Sequence, residues 1–309
     1  KMLYDNALLT SAYLEGYLAT ENQEYARVAR ETIDYILREM TDDGGGFHST
    51  EDADSEVPDH PGEHAEGAYY VWSYQELKGA LDEDELAQCK SLFGVTEAGN
   101  ASGDAAGELA GKNVLRKTAS DVDAEALVAK LLALREQRPR PKRDDKILTE
   151  GNALAAAALA DAGRYLGNPK YVEESAEILA FIERKLVVEG ALKRSYFDQK
   201  VEIDAFCSDY VSLVHAYLSL YQASGDPDYL LRAVHWQKET DRIFWDEAGG
   251  GYFETRPDTE LPIRRKSVYD GAEMSANGRA ALNLTTLFEL TGEQGYGQRL
   301  ERQLKLFTP

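Results

Sequence analysis

The stretch GGGFHSTEDADSE, Gly44 to Glu56, places Glu51, Asp52, Asp54 and Glu56 within six residues, behind three glycines. Four carboxylates so spaced can hold a cation, divide the work of an acid and a base, or cap a solvated turn. The cation reading is poor. Asp52, Asp54, Glu56 and Glu63 fall at positions 1, 3, 5 and 12 of an EF-hand count, but Val57, followed by Pro58, stands where that loop requires glycine. His60 and His64 flank Glu63, yet a proline-containing loop breaks the helical face that two ligands four residues apart would share. No metal is expected. No Ser/His/Asp, Cys/His or phosphate-loop signature appears, and no cofactor is expected.

Carboxylates recur at a second kind of position, the start of a helical run. Asp5 with Asn6, Asp144-Asp145-Lys146 ahead of Asn152, Asp209 with Tyr210, and Asp270 ahead of Asn277 all follow this pattern. Acids there complement the helix dipole and cap free N–H groups, which gives each a structural explanation. Their recurrence predicts that Asp5, Asp145, Asp209 and Asp270 converge on one pore. Tyr210 lies on an apolar stripe, so packing is its first role. Asp209 flanks that stripe and is less easily explained by burial, which makes it a candidate acid or base. The histidines are less promising. His215 falls off the stripe of its helix and reads as structural or exposed. His235, beside Trp236, reads as outer-helix packing. Only His48, behind the glycine turn, stays near a possible mouth.

The elements that position these residues are repeated helical hairpins. Apolar residues recur at helical spacing in MLYDNALLTSAYLEGYLA and DAFCSDYVSLVHAYLSLYQ, and GNALAAAALADAGRYLG is small and apolar, suited to close helix packing. ATENQEY, LGNPKY, SGDPDY and TGEQGY each end one helix, turn, and start the next with Tyr25, Tyr171, Tyr229 or Tyr296. DDGGGFHS, VEGALKRSY and EAGGGYFET end the units alike, in a glycine turn followed by a short extended piece. Tyr171 to Tyr229 spans 58 residues and Tyr25 to Tyr171 spans 146, so an insertion falls at 50–143. It holds AYYVWS, which reads as a strand, and the charged helix DAEALVAKLLALREQ. RPRPKRDDK leads back, since proline ends helices. The fold class is all-α, an (α/α) toroid of hairpins over 1–309, with the insertion expected to cap the cavity mouth. Closed toroids of this kind carry about six hairpins, so four predict a chain truncated at both ends.

Composition narrows the function. The 309 residues are 43% hydrophobic, enough for a sizeable core, and the formal net charge is -21. That charge repels phosphate backbones and anionic membranes, so nucleic acid and membrane are excluded as partners. Two separated cysteines fit a reducing, cytoplasmic setting. No apolar run approaches the roughly 18 residues of a membrane span.

KMLYDNALL, GGFHSTEDADSE, EGAYYVWS, RDDKILTEGNAL, SDYVSLVHAYLSLYQASGD and YDGAEMSANG occur in that order. Together they resemble the large helical domain of the thioredoxin-domain, spermatogenesis-associated (bacterial YyaL-like) family. The resemblance implies a six-hairpin glycosidase-like fold, related to N-acylglucosamine and cellobiose 2-epimerases, and a thioredoxin-like domain as partner in the full-length protein. It differs where the family has Ser-Trp-Asn and this chain has Glu150-Gly151-Asn152, and where VPDHPGEHA precedes Glu66. It implies a carbohydrate-active cavity with Asp52, Asp54 and Asp209 as acid/base residues. Asp5, Asn6, Glu66, Asp144, Asp145, Lys146, Asn152, Tyr210, Asp270 and Asn277 would bind the sugar. The rival expectation is a non-catalytic module that binds a ligand or protein beside the thioredoxin-like domain.

Overall fold

The computed structural model describes residues 1–58, 60–101, 109–118, 124–257 and 262–307. Parts of the insertion expected at 50–143 lie outside them. In chain order the helices are α1 (Leu3–Thr20), α2 (Gln23–Glu39), α3 (Tyr74–Ala80), α4 (Glu83–Phe93), α5 (Glu125–Arg135), α6 (Thr149–Leu166), α7 (Pro169–Phe181), α8 (Cys207–Ser224), α9 (Pro227–Phe244), α10 (Ala276–Thr291) and α11 (Gln294–Phe307). The chain divides into two compact units: Lys1–Thr50 with Asp144–Pro309, and Glu51–Arg143.

The first unit is a row of four helical hairpins, α1/α2, α6/α7, α8/α9 and α10/α11. Its inner members pack side by side in the order α1, α6, α8, α10. This is the layering of an (α/α) toroid. Two of these inner helices, α6 and α8, are buried on nearly every side, as their small and apolar sequences require. α6 is alanine-rich and buried without interruption from Asn152 to Ala160. α8 is buried at Asp209–Val214 and again at Ala216–Leu220. A helix that is apolar or small on every side belongs inside a fold. α2 instead buries only Ala26, Ala29, Ile33 and Ile36, spaced as a single stripe, and turns its charges outward.

The hairpin turns repeat in structure as in sequence. Gly167, Gly225 and Gly292 close their helices with left-handed backbone, at φ of 69°, 73° and 70°. Asn168 and Asp226 then cap α7 and α9, each followed by proline at the first helical position. In the first hairpin Glu21 occupies the left-handed position, at φ 57°.

Asn152 and Asn277 do an equivalent job in two repeats. The Asn152 amide accepts from Phe47 N at 2.7 Å and donates to Phe47 O and Leu148 O, both at 2.9 Å. The Asn277 amide accepts from Tyr252 N at 2.8 Å and donates to Tyr252 O and Ser267 O. Each therefore clamps the aromatic residue that follows a glycine turn onto the next inner helix. In α8 the corresponding task falls to Tyr210, whose hydroxyl bonds the Leu192 backbone. Its ring packs against Trp236 and Phe244. Asn152, Asn277 and Tyr210, expected among the sugar-binding residues, are buried, and the fold engages all three in this way.

The second unit has its own core around Trp72, Leu77, Leu92 and Leu131. Asp54–Glu56 and His64–Glu66 form an antiparallel pair, and Trp72–Ser73 pairs with Lys112–Asn113. The strand expected over AYYVWS is thus only two residues long. Gly67 at φ 73° starts a turn that takes up the residues before it, with Tyr70 N and Val71 N both bonded to Gly67 O. The short helices α3 and α4, each with a capping box, were not anticipated from periodicity. The helix over DAEALVAKLLALREQ is α5. Among the described residues no helix is long and apolar enough to cross a membrane.

Candidate functional site

The site forms where α6, α8 and α10 begin. Asp209, in the first turn of α8, is fully buried. Its Oδ1 accepts from Glu150 N at 3.1 Å, and its Oδ2 accepts from Phe206 N at 2.9 Å and Arg194 Nη1 at 3.0 Å. Asp209 therefore ties the start of α6 to the start of α8 and fixes Arg194, which comes from the strand Ala191–Phe197. Burial pushes its carboxyl up, Arg194 pulls it back and Glu150 pushes it up again, to about 7. Both carboxyl oxygens of Asp209 are thus engaged by donors of the fold.

Two other carboxyls are better placed for chemistry. Glu150, on α6, accepts from Ser208 Oγ at 2.7 Å and lies 3.6 Å from Arg194. Glu273, just ahead of α10, makes no side-chain hydrogen bond or ion pair with any described residue. Burial, with Glu150, Asp209 and Asp5 nearby, pushes it up to about 7 against the pull of Arg194. Glu150, Ser208 and Glu273 line one cavity of about 380 Å³, with Phe206 and Met274 on its walls. Arg194 stacks on the Phe206 ring at 5.0 Å. Carboxyls in contrasting surroundings, beside apolar walls, can divide acid and base roles. A wider depression of about 520 Å³ lies at the outer end of α9, around Asp228, Arg232 and His235, and has no such convergence.

A second polar layer lies among the same helices. Ser219 of α8 donates to Asp161 of α6 at 3.3 Å. Burial pushes Asp161 up to about 6, and pushes His215 of α8 down to about 3 with the help of Arg279. Arg279, on α10, is 9% exposed. His215 is therefore enclosed rather than on an outer face. α8 has no outer face, so the stripe argument could not place it.

The remaining expected residues are dispersed. Asp5 is exposed but contributes to the field at Glu273, and Asn6 donates to Met2 O. Lys146 pairs with Asp144 at 3.0 Å on the surface. Asp145 lies 3.5 Å from buried His48. Asp270 is exposed and accepts from Ser275 N at the start of α10. Asp52, Asp54 and Glu66 belong to the second unit. There Asp52 Oδ1 accepts from Asp54 N, and Asp54 sits opposite Glu66 in the strand pair. Sequence reasoning missed Glu150, Glu273, Arg194, Ser208 and Arg279. A signal existed for the first two: both are acids at the start of inner helices, the position already marked by the recurring aspartates.

No protein-family model matches the chain. It is 35% identical over 334 aligned positions to human spermatogenesis-associated protein 20, covering 96% of this chain and 42% of that protein. The mouse protein is 34% identical over the same shares. The chain thus spans 42% of the length of these curated relatives. A sugar epimerase from a ruminal bacterium superposes with a TM-score of 0.61 at 12% identity, covering 99% of this chain and 59% of that one. Cellobiose 2-epimerase from Spirochaeta thermophila gives 0.59 at 10%, with shares of 99% and 58%. A GH76 α-mannanase from Bacteroides thetaiotaomicron gives 0.55 at 13%, with shares of 99% and 60%. At these identities the structures speak for fold alone, while the sequence matches speak for descent. The chain is a homologue of spermatogenesis-associated protein 20 over nearly its whole length, with the six-hairpin glycosidase-like (α/α) fold.

Proposed function

We propose that the cavity at the starts of α6, α8 and α10 is a carbohydrate site, with Glu273 and Glu150 as its acid/base pair. The observation that carries this reading is the pairing itself. Glu273 holds a proton near neutral pH because burial and neighbouring carboxylates raise it, while Glu150 accepts from Ser208 and lies 3.6 Å from Arg194. Two carboxyl groups lining one cavity suit protonation of a glycosidic or carbonyl oxygen and removal of a proton. Phe206 and Met274 offer apolar surface to the C–H face of a sugar ring. The carbohydrate names of the proteins that share the fold support the substrate class. A thioredoxin-like domain remains the proposed partner in the longer protein.

The test is product analysis after incubation with cellobiose, mannobiose and D-mannose, alongside thermal shift. The expected result is hydrolysis, epimerisation or isomerisation by the native chain, lowered roughly 100-fold or more in Glu273→Gln and Glu150→Gln. Asp52→Asn and Asp54→Asn in the same assay test the residues that the sequence alone brought forward. Binding without turnover would instead favour the non-catalytic module. Neither binding nor product would overturn the carbohydrate reading.

A further inference from the structure

Besides Glu150 and Glu273, four described residues lining the cavity at the helix starts carry polar side chains: Ser208, Glu254, Thr255 and Ser275. Three of the four are engaged or enclosed. The Ser208 hydroxyl donates to Glu150 at 2.7 Å. The Ser275 hydroxyl accepts from Gly278 N at 3.1 Å and so caps α10. The Thr255 hydroxyl oxygen is sealed from solvent. Glu254 is the exception. It is half-buried, and its carboxyl makes no hydrogen bond or ion pair with any described residue.

The main chain that carries Glu254 is fixed from both sides. Glu254 N donates to Arg265 O at 2.9 Å, and Glu254 O accepts from Cys207 N at 3.0 Å. The second bond ties it to the first residue of α8, next to Ser208. One residue further on, Thr255 O accepts from Arg264 Nε at 2.9 Å. One residue earlier, Phe253 N donates to Phe244 O at 2.9 Å, and the Phe253 ring lies under Arg264 at 4.1 Å. The fold thus holds the backbone of Glu254 firmly and gives its side chain nothing to bind. Among the described residues that line the cavity none is basic. A carboxylate only accepts hydrogen bonds, so a partner in the cavity has to bring the donors.

We propose that Glu254 is the specificity-determining residue of this cavity, its carboxylate accepting from a hydroxyl of the sugar and so orienting the ring against Glu150 and Glu273. The inference rests on the carbohydrate reading above and adds to it the side chain that chooses among sugars. A hydroxyl donating to a carboxylate makes a charge-assisted bond, stronger than one between neutral groups. A sugar that lacks the hydroxyl leaves the carboxylate unmatched, which is how sites built on such bonds reject close analogues. A fixed main chain lowers the ordering cost of forming that bond. Glu254 serves binding and not proton transfer, so its loss raises KM and leaves kcat near the native value.

The experiment measures binding of cellobiose, D-mannose and the monodeoxy derivatives of D-mannose to the native chain, Glu254→Gln and Glu254→Ala by calorimetry. Urea unfolding of each variant checks that the fold is kept. The expected result is that the sugars bind roughly tenfold to a hundredfold more weakly to Glu254→Ala, with Glu254→Gln between. One monodeoxy mannose binds the native chain at least roughly tenfold more weakly than D-mannose, and that difference vanishes in Glu254→Ala. If the alanine variant is unstable, glutamine carries the comparison, because it keeps the shape and loses the charge. Native-like affinity in the folded variants, or a deoxy penalty that persists in them, overturns the proposal. If Glu273→Gln loses turnover while the Glu254 variants keep native affinity, this inference alone falls. If neither sugar binds the native chain, both fall together.

Discussion

Glu273 and Asp209 show how one raised carboxyl differs from another. Glu273 has no hydrogen bond or ion pair with any described residue to lose, so its raised value makes folding favour the protonated form. Between its ordinary 4.5 and about 7, the folded chain holds a proton that the unfolded chain releases. The stability it contributes is therefore present below about 4.5 and is lost as pH rises through 7. Glu273→Gln should match the native melting temperature at pH 4.5 and exceed it at pH 8. The difference should be about 1–2 kcal/mol after allowance for its partial exposure, read from denaturant titrations at both pH values. A difference that shrinks towards pH 8 would contradict the sign. Asp209 behaves oppositely on truncation, because three donors lose their acceptor at once. Asp209→Ala should cost about 3–5 kcal/mol, measured by urea unfolding, through the stranded Arg194 and the uncapped start of α8.

Among the elements, the hairpin turn is the unit that recurs, and its one irregular copy makes a prediction. Gly167, Gly225 and Gly292 take the left-handed position at no steric cost, whereas Glu21 takes it with a side chain. Glu21→Gly should stabilise the chain by about 0.5–1 kcal/mol, seen as a raised melting temperature. The asparagine clamps are the second recurring device. Asn152→Ala would leave the Phe47 N–H and two carbonyls without partners inside the fold, and should cost about 2–4 kcal/mol. The turns were legible in the sequence because glycine, asparagine and proline announce local backbone geometry. The clamps were not: Asn152 and Phe47 are 105 residues apart, and nothing in either neighbourhood specifies the other. An asparagine near a helix start reads equally well as a ligand for a hydroxyl group.

For the whole molecule, the division into two units carries a direct test. Ser49 N donates to Asp144 O at 3.2 Å, so the two ends of the first unit at the excision point are already neighbours. Replacing residues 51–143 by a short glycine linker adds little loop-closure entropy. The shortened chain should retain a cooperative thermal transition with helical circular dichroism. It should also retain sugar binding, because the cavity residues Glu150, Ser208 and Glu273 all lie in the first unit. Loss of binding with the fold intact would return Asp52 and Asp54 to the centre of the question.

By itself the sequence determined the periodic part of this protein: the hairpins, their turns and the all-α class. These depend on residues three to five apart, or on a motif repeated along the chain, and such information is local. It also marked the starts of the inner helices as the place where acids gather. Only the tertiary structure decided the surroundings of each acid. It buried Asp209 under three donors, left Glu273 lining a cavity with Glu150 and without a hydrogen bond or ion pair to any described residue, and drew Arg194 in from a strand that carries no signature. Those outcomes depend on what each side chain meets across the fold, since burial and neighbouring charge set how a carboxyl behaves.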